Sequence, residues 1–171
     1  MRRRSHSDME KLTRIASFSV NHDNIKEGIY VSRIDGDVTT YDLRCRVPNG
    51  GDYMDNLTMH TVEHMFATYV RNSAMGQRVI YFGPMGCQTG FYLLVRDADN
   101  DQVLATVKDV LKSIVAHSGD VPGAKREECG NYKCLSLDSA KREAQRYLSA
   151  LESKKVSFKY PTDGSETGDF V

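Results

Sequence analysis

Val79-Ile80-Tyr81-Phe82-Gly83-Pro84-Met85-Gly86-Cys87-Gln88-Thr89-Gly90-Phe91-Tyr92-Leu93-Leu94-Val95 is the stretch that decides the fold class. Val79–Phe82 and Phe91–Val95 read as two strands around a glycine-rich turn, Gly83-Pro84-Met85-Gly86. The gap is too short for a helical crossover, so the strands are expected to run antiparallel. Upstream, Val38 to Val47 alternates towards its end: Tyr41, Leu43, Cys45 and Val47 point one way, Asp42, Arg44 and Arg46 the other. That pattern is a half-buried strand, ended by Pro48-Asn49-Gly50-Gly51.

Three helices are interspersed with these strands. Asp55 or Asn56 can cap the first, from about Leu57 to Ala74, with Met59, Val62, Met65, Phe66, Tyr69 and Val70 on its apolar face. Asp99 or Asn100 can cap the second, which carries Val103, Leu104, Val107, Leu111, Ile114 and Val115 at helical spacing. Ser136 or Asp138 can cap the third, with Ala140, Ala144, Tyr147, Leu148 and Leu151 inward. The expectation is an α+β fold, a mainly antiparallel sheet packed against α-helices. It forms a single catalytic domain over residues 1–171, with flexible ends at 1–11 and 162–171.

Composition narrows the function classes. Of 171 residues, 40% are hydrophobic and 27% charged, and the net charge is zero, which suits a soluble globular protein rather than a nucleic-acid surface. The only basic cluster is Arg2-Arg3-Arg4. No apolar run reaches about 18 residues, so no membrane span is expected. The polar stretch after Arg4 does not read as a signal peptide, and the expected location is cytoplasmic. In that compartment Cys45, Cys87, Cys129 and Cys134 are free thiols or metal ligands rather than two disulfides.

The first helix contains His60-Thr61-Val62-Glu63-His64. Residues four apart lie one turn apart on the same side, so the two imidazoles can share one divalent cation. Glu63 lies on the flank and can act as a base towards a metal-bound group. The bland alternative is a helix with two hydrogen-bonded histidines. A catalytic site of this kind needs a third protein ligand, which other thiolates and carboxylates could supply. Cys129, in Glu127-Glu128-Cys129-Gly130-Asn131, stands out because the glycine permits close backbone approach, although a structural cysteine fits that local sequence equally well. A His/His/Cys set suits iron(II), zinc or cobalt(II). Cys87 is presented by the turn at a strand end, where a thiol can move protons; a small buried hydrophobe is the alternative. Cys45 reads as core.

Five motifs combine in one order and spacing: Ser17-Phe18-Ser19-Val20-Asn21-His22, Tyr41-Asp42-Leu43-Arg44, His60-Thr61-Val62-Glu63-His64, Pro84-Met85-Gly86-Cys87-Gln88-Thr89-Gly90-Phe91-Tyr92 and Glu128-Cys129-Gly130. Together they resemble the S-ribosylhomocysteine lyase family, the LuxS-type autoinducer-2 synthases, from about Ser17 to Leu151. The resemblance implies a homodimer with active sites at the interface, the N-terminal segment of each subunit reaching its neighbour's site. It implies a divalent metal, iron(II) in the native state, on His60, His64 and Cys129. Glu63 and Cys87 match the family's two general acid/base residues. Ser17, His22 and Arg44 match positions that bind the sugar or amino-acid end of the substrate. The implied reaction cleaves S-ribosylhomocysteine to homocysteine and 4,5-dihydroxy-2,3-pentanedione, a step of the methionine cycle and of quorum-sensing signal synthesis, without an organic cofactor. One departure is visible: where the family commonly has Asp-Ile-Ser before Pro-Met-Gly-Cys, this chain has Tyr81-Phe82-Gly83.

The residue types suit that chemistry. A thioether is inert until a carbonyl stands beta to the carbon bearing sulfur. Moving a carbonyl along a sugar needs a Lewis acid and two proton carriers. Arg44, on the polar side of its strand, could bind a carboxylate bidentately. Two rivals share parts of the pattern. His-x-x-Glu-His also marks inverted-motif zinc peptidases, which take a distal glutamate as third ligand and need neither Cys87 nor Cys129. A structural metal domain that has lost turnover would keep the ligands alone.

Overall fold

The computed structural model of the protein describes residues 20–162. The expected flexible ends therefore fall outside the described residues, apart from Thr162, and so does Ser17. Four strands, β1 (Gly28–Asp35), β2 (Val38–Arg44), β3 (Val79–Pro84) and β4 (Gly90–Arg96), form one antiparallel sheet in the order β1-β2-β4-β3. Three helices, α1 (Asn56–Arg71), α2 (Asn100–Ala116) and α3 (Leu137–Glu152), pack against one another on one face of it. The expected α+β class holds, in a single domain.

Short connections set this topology. Gly36, at φ +61, makes the tight β1–β2 reversal, and the turn after Pro84 returns β3 as β4. Gly90 faces Arg44 across the β2–β4 ladder, where a Cβ would stand 2.4 Å from the Leu43 carbonyl oxygen; only glycine lets the two backbones approach that closely. The helix caps are Asp55, Asp99 and Ser136, each accepting from a backbone N–H three residues on.

The helix-facing side of the sheet carries Ile29, Tyr41, Leu43, Phe82, Phe91, Leu93 and Val95, which meet Met59, Val62, Met65 and Phe66 of α1. Phe66 stacks on Phe82 at 4.2 Å between centroids, and Phe82 on Phe91 at 5.0 Å. This column fixes the rotation of α1 about its axis. With Met59, Val62 and Phe66 inward, His60 and His64 are left half-buried on the flank.

Three sequence expectations need correction, and one element is additional. β1 was not anticipated. β2 stops at Arg44 rather than Val47, because Cys45 and Arg46 both turn their N–H groups onto the Thr89 carbonyl at 2.9 Å. Nor is β2 half-buried: Asp42 and Arg44 on its polar side are 0% and 2% exposed. The physical reason is a segment after α3 that crosses the sheet edge. The Phe158 carbonyl accepts from Val31 N–H at 2.8 Å, and Tyr160 stacks on Tyr30 at 4.8 Å, covering the far face. Finally, α1 ends at Arg71, three residues before Ala74. A Cβ at Gly76 would lie 2.0 Å from the Arg71 carbonyl, so the chain doubles back against the helix end.

Candidate metal centre

His60 and His64 stand one turn apart on α1 with ring centroids 4.7 Å apart and planes at 84°. Each ring is oriented by a backbone carbonyl from a different loop. His60 Nδ1–H donates to the Cys134 carbonyl at 2.7 Å, and His64 Nδ1–H donates to the Pro122 carbonyl at 2.8 Å. A carbonyl can only accept, so the proton of each ring sits on Nδ1 and the Nε2 lone pair is free to take a cation. Cys129 brings its Sγ to 3.4 Å from His60 Nε2, and all three ligand atoms lie within 4.8 Å of one another. Two imidazole nitrogens and one thiolate on three half-buried side chains form a donor set for a borderline-soft divalent cation with an open position. The residues therefore fit the metal that the sequence suggested.

The surrounding chain shows why the loops stand there. Thr61 sits beside His60; its hydroxyl donates to the Leu57 carbonyl and accepts from Ser136 N–H at 2.9 Å, tying the start of α3 to α1. That fixes the 129–136 segment beneath His60. On the other side, Tyr69 and His117 hydrogen-bond at 2.7 Å, and His117 Nε2 meets the Asp120 carbonyl at 3.0 Å, which holds the loop that ends in Pro122. Gly123, at φ +73, lies so close that a Cβ there would be 3.0 Å from His64 Nδ1. Glu63 is half-buried and makes no hydrogen bond or ion pair among the described residues, leaving its carboxylate available.

Cys87 and Arg44 form a second group. Cys87 is exposed at the tip of the β3–β4 turn, which is pinned by Met85 N–H to the Gly90 carbonyl at 2.9 Å and by Met54 N–H to the Gln88 carbonyl at 3.0 Å. Arg44 Nη1 donates to the Thr89 hydroxyl at 2.6 Å and points at Cys87 Sγ, 3.9 Å away. The Thr89 hydroxyl, having accepted from Arg44, is free to donate to Cys87 Sγ at 3.0 Å. The other edge of the guanidinium is taken: Nε and Nη2 bind Asp42 at 3.1 and 2.6 Å. Arg44 does bind a carboxylate bidentately, but the carboxylate is internal. Burial alone would lower the pKa of Arg44, yet its hydrogen bonds to Asp42 and the Asp42 charge raise it, so the guanidinium stays charged inside the protein.

His22, in a single 3-10 turn with its Nδ1–H on the Val20 carbonyl at 2.9 Å, lines one polar cavity with Ile25, Ser32, Arg44, Tyr92 and Tyr160. His22, Arg44 and Cys87 thus gather on the sheet face away from the helices, whereas His60, His64 and Cys129 gather in the helical layer. No hydrogen bond or ion pair joins the two groups among the described residues.

Sequence reasoning passed over Asp42, Thr89 and Tyr160. The first two lay inside quoted motifs, and Asp42 two residues before Arg44 on one strand face was a readable ion pair. Tyr160 carried no such signal. At the departure the Tyr81 ring lies over Gly83, its hydroxyl 1.9 Å from where a Cβ on Gly83 would stand; the ring is half exposed and has room to swing aside.

Residues 15–157 match the family model described as S-ribosylhomocysteinase (LuxS). The S-ribosylhomocysteine lyase of Borreliella burgdorferi (strain ZS7) is 41% identical over 157 residues, covering 88% of this chain and 100% of that protein. That of Finegoldia magna is 40% identical over 156 residues (88% and 99%), and that of Desulfotalea psychrophila 41% over 157 (86% and 99%).

Proposed function

The chain belongs to the S-ribosylhomocysteinase (LuxS) family, and from that premise we propose that it cleaves the thioether of S-ribosylhomocysteine, releasing homocysteine and 4,5-dihydroxy-2,3-pentanedione, the autoinducer precursor. The observation that carries this reading is the convergence of His60, His64 and Cys129, with both histidines held Nδ1-down on carbonyls. These three residues hold one divalent metal, iron(II) by preference, with zinc or cobalt(II) able to substitute. When bound, the metal supplies Lewis acidity towards the sugar's oxygens.

The chain's own groups supply the rest. Glu63, unpaired and half-buried beside the ligands, accepts and returns protons at the sugar carbons and hydroxyls. Cys87 is the second proton carrier. Arg44 Nη1 and the Thr89 hydroxyl both aim hydrogens at its sulfur, the arrangement that stabilises negative charge there. His22 shares a cavity with Arg44 and serves the substrate's polar end; the same role is assigned to Ser17, which lies outside the described residues, on the family resemblance alone. Because Asp42 occupies the bidentate edge of Arg44, that arginine contributes charge at Cys87 and one free N–H direction rather than a carboxylate fork.

The working unit is a homodimer with active sites at the interface. What supports it is the two-sidedness of the sheet: alternation along β2 sends Tyr41 and Leu43 to the helices and Asp42 and Arg44 to the opposite face. Cys87 goes with Arg44 and the metal ligands with α1, so a second copy is what can bring the thiol of one chain to the metal of the other. The cytoplasm is the compartment that fits, since all four cysteines are free thiols; among the described residues no helix is long and apolar enough to cross a membrane.

The test separates metal from proton transfer. Cys129→Ala should lose the metal. Cys87→Ala should keep it and lose turnover. Metal loss in Cys87→Ala with retention in Cys129→Ala would mean that the two thiols have each other's role. An inverted-motif peptidase would keep its metal in both variants.

A further inference from the structure

We propose that Tyr160 is a positioning residue for Cys87, acting through Asp42 and Arg44. The inference rests on the reading of Cys87 as a proton carrier. Tyr160 lies beyond the stretch matched by the family model, which ends at residue 157.

The geometry is a continuous chain of hydrogen bonds. The Tyr160 hydroxyl donates to Asp42 Oδ2 at 2.7 Å. The same oxygen accepts from Arg44 Nη2 at 2.6 Å, and Oδ1 accepts from Arg44 Nε at 3.1 Å. The last edge of the guanidinium faces Thr89 and Cys87. Asp42 is fully buried, so every acceptor direction it offers must be filled from within the protein. Burial first, and then the Asp42 charge, push the Tyr160 hydroxyl well up from its usual pKa, so it remains a donor throughout the working pH range.

The backbone delivers Tyr160 there in an unusual way. Phe158 sits at φ +60, a left-handed conformation that aromatic residues rarely adopt. It packs edge-on against Tyr41 at 6.4 Å on the helix side, while Tyr160 stacks on Tyr30, 11° from parallel, on the other side. The reversal at Phe158 is what carries the chain from one face of the sheet to the other. Anchoring the segment would need only the Phe158 contact and the ring stack. The hydroxyl adds a bond to the carboxylate that holds the arginine.

The sign of the effect follows. Asp42 is an anion beside Arg44 and opposes the positive field of the guanidinium at Cys87. A neutral hydroxyl on Oδ2 draws off part of that negative charge and fixes the carboxylate plane. Without it, the full negative charge of Asp42 falls on Arg44, and less positive charge reaches the sulfur.

Tyr160→Phe removes the hydroxyl and keeps the ring stack. Metal-loaded wild type and Tyr160→Phe are compared for the iodoacetamide alkylation rate at Cys87, followed by peptide mass, and for kcat and KM of thiol release from S-ribosylhomocysteine. Metal content and Tm are recorded for both. Expected are a fall of about three- to tenfold in the Cys87 alkylation rate and in kcat, with KM within twofold and metal content unchanged. Tyr160→Ala should show at least the same loss, and Tyr160→Phe should not restore it even where it restores Tm. Wild-type alkylation and kcat in Tyr160→Phe would overturn the proposal. So would recovery of both in proportion to Tm, which would make Tyr160 an anchor only. If wild type released no thiol, the lyase reading would fall, and the alkylation comparison would still decide the role of Tyr160.

Discussion

Gly123→Ala is the substitution that asks most of the metal centre. Two effects can be separated. Gly123 has φ +73, where an L side chain costs about 1–2 kcal/mol. In a domain of this size that should lower the Tm of the metal-free protein by roughly 2–8 °C. The new Cβ would also lie 3.0 Å from His64 Nδ1 and 3.2 Å from Cε1. The ring must tilt, and the 2.8 Å bond from Nδ1 to the Pro122 carbonyl lengthens or breaks. Losing the group that orients a ligating histidine typically weakens metal binding about 10- to 100-fold, or roughly 1.4–2.7 kcal/mol. Gly119→Ala is the control. Its φ is +98, but nothing stands within 4 Å of a Cβ there. It should show the stability loss with wild-type metal affinity. The assay is competition for iron(II) or zinc against a chromophoric chelator, alongside thermal melts of the metal-free proteins. If Gly123→Ala binds metal within twofold of wild type while melting lower, the Pro122 carbonyl does not orient His64 and that part of the reasoning is refuted.

Equimolar coexpression of Cys129→Ala and Cys87→Ala chains should give half heterodimers, each with one intact site. About a quarter of wild-type thiol release should then return from two inactive parents; no recovery despite confirmed heterodimers would mean that each site is built within one chain. Glu63→Gln should keep the metal and release thiol very slowly, measured by metal analysis and turnover, and a near-wild-type rate would remove Glu63 from proton transfer. The Asp55 carboxyl is held below its usual 3.8 by hydrogen bonds from Thr58. A depressed pKa adds stability that is complete above the unfolded value and disappears as pH falls through the folded one. Asp55→Asn keeps a cap without the charge, so its urea midpoint should lie below wild type at about pH 6 and converge with it at about pH 2; a pH-independent gap would contradict this.

The parts of the fold that the sequence made legible are those in which cause and effect lie close together. Asp55 followed by an apolar stripe marked α1, and the same stripe put His60 and His64 on its flank. Gly83 to Gly90 marked the antiparallel pair. β1 was harder to see because a bulge between Val31 and Arg33 breaks its alternation and its far half is exposed. The burial of Asp42 and Arg44 could not be read locally at all: it depends on Tyr160, 118 residues from Asp42 along the chain. Glu143, 4% exposed on α3, is buried for a similar reason, paired with Arg46 from 97 residues away. The candidate metal group of His60, His64 and Cys129 was readable because side-chain chemistry singles out residues able to ligate. Their orienting partners, the carbonyls of Pro122 and Cys134, were not, since any residue can offer a carbonyl. Cys87 was placed correctly in a strand-end turn, but the arginine and hydroxyl aimed at it came into view only with the β2–β4 register, which sets Arg44 opposite Gly90.

Release of free thiol from S-ribosylhomocysteine, followed with a chromogenic disulfide after iron(II) loading in the absence of oxygen, tests the lyase assignment most directly. Stoichiometric conversion to homocysteine with many turnovers per subunit is the expected result. It should be abolished on chelation and regained on adding iron(II) back. No thiol from protein that demonstrably holds one metal per subunit would contradict the assignment, and would leave His60, His64 and Cys129 as a structural metal site.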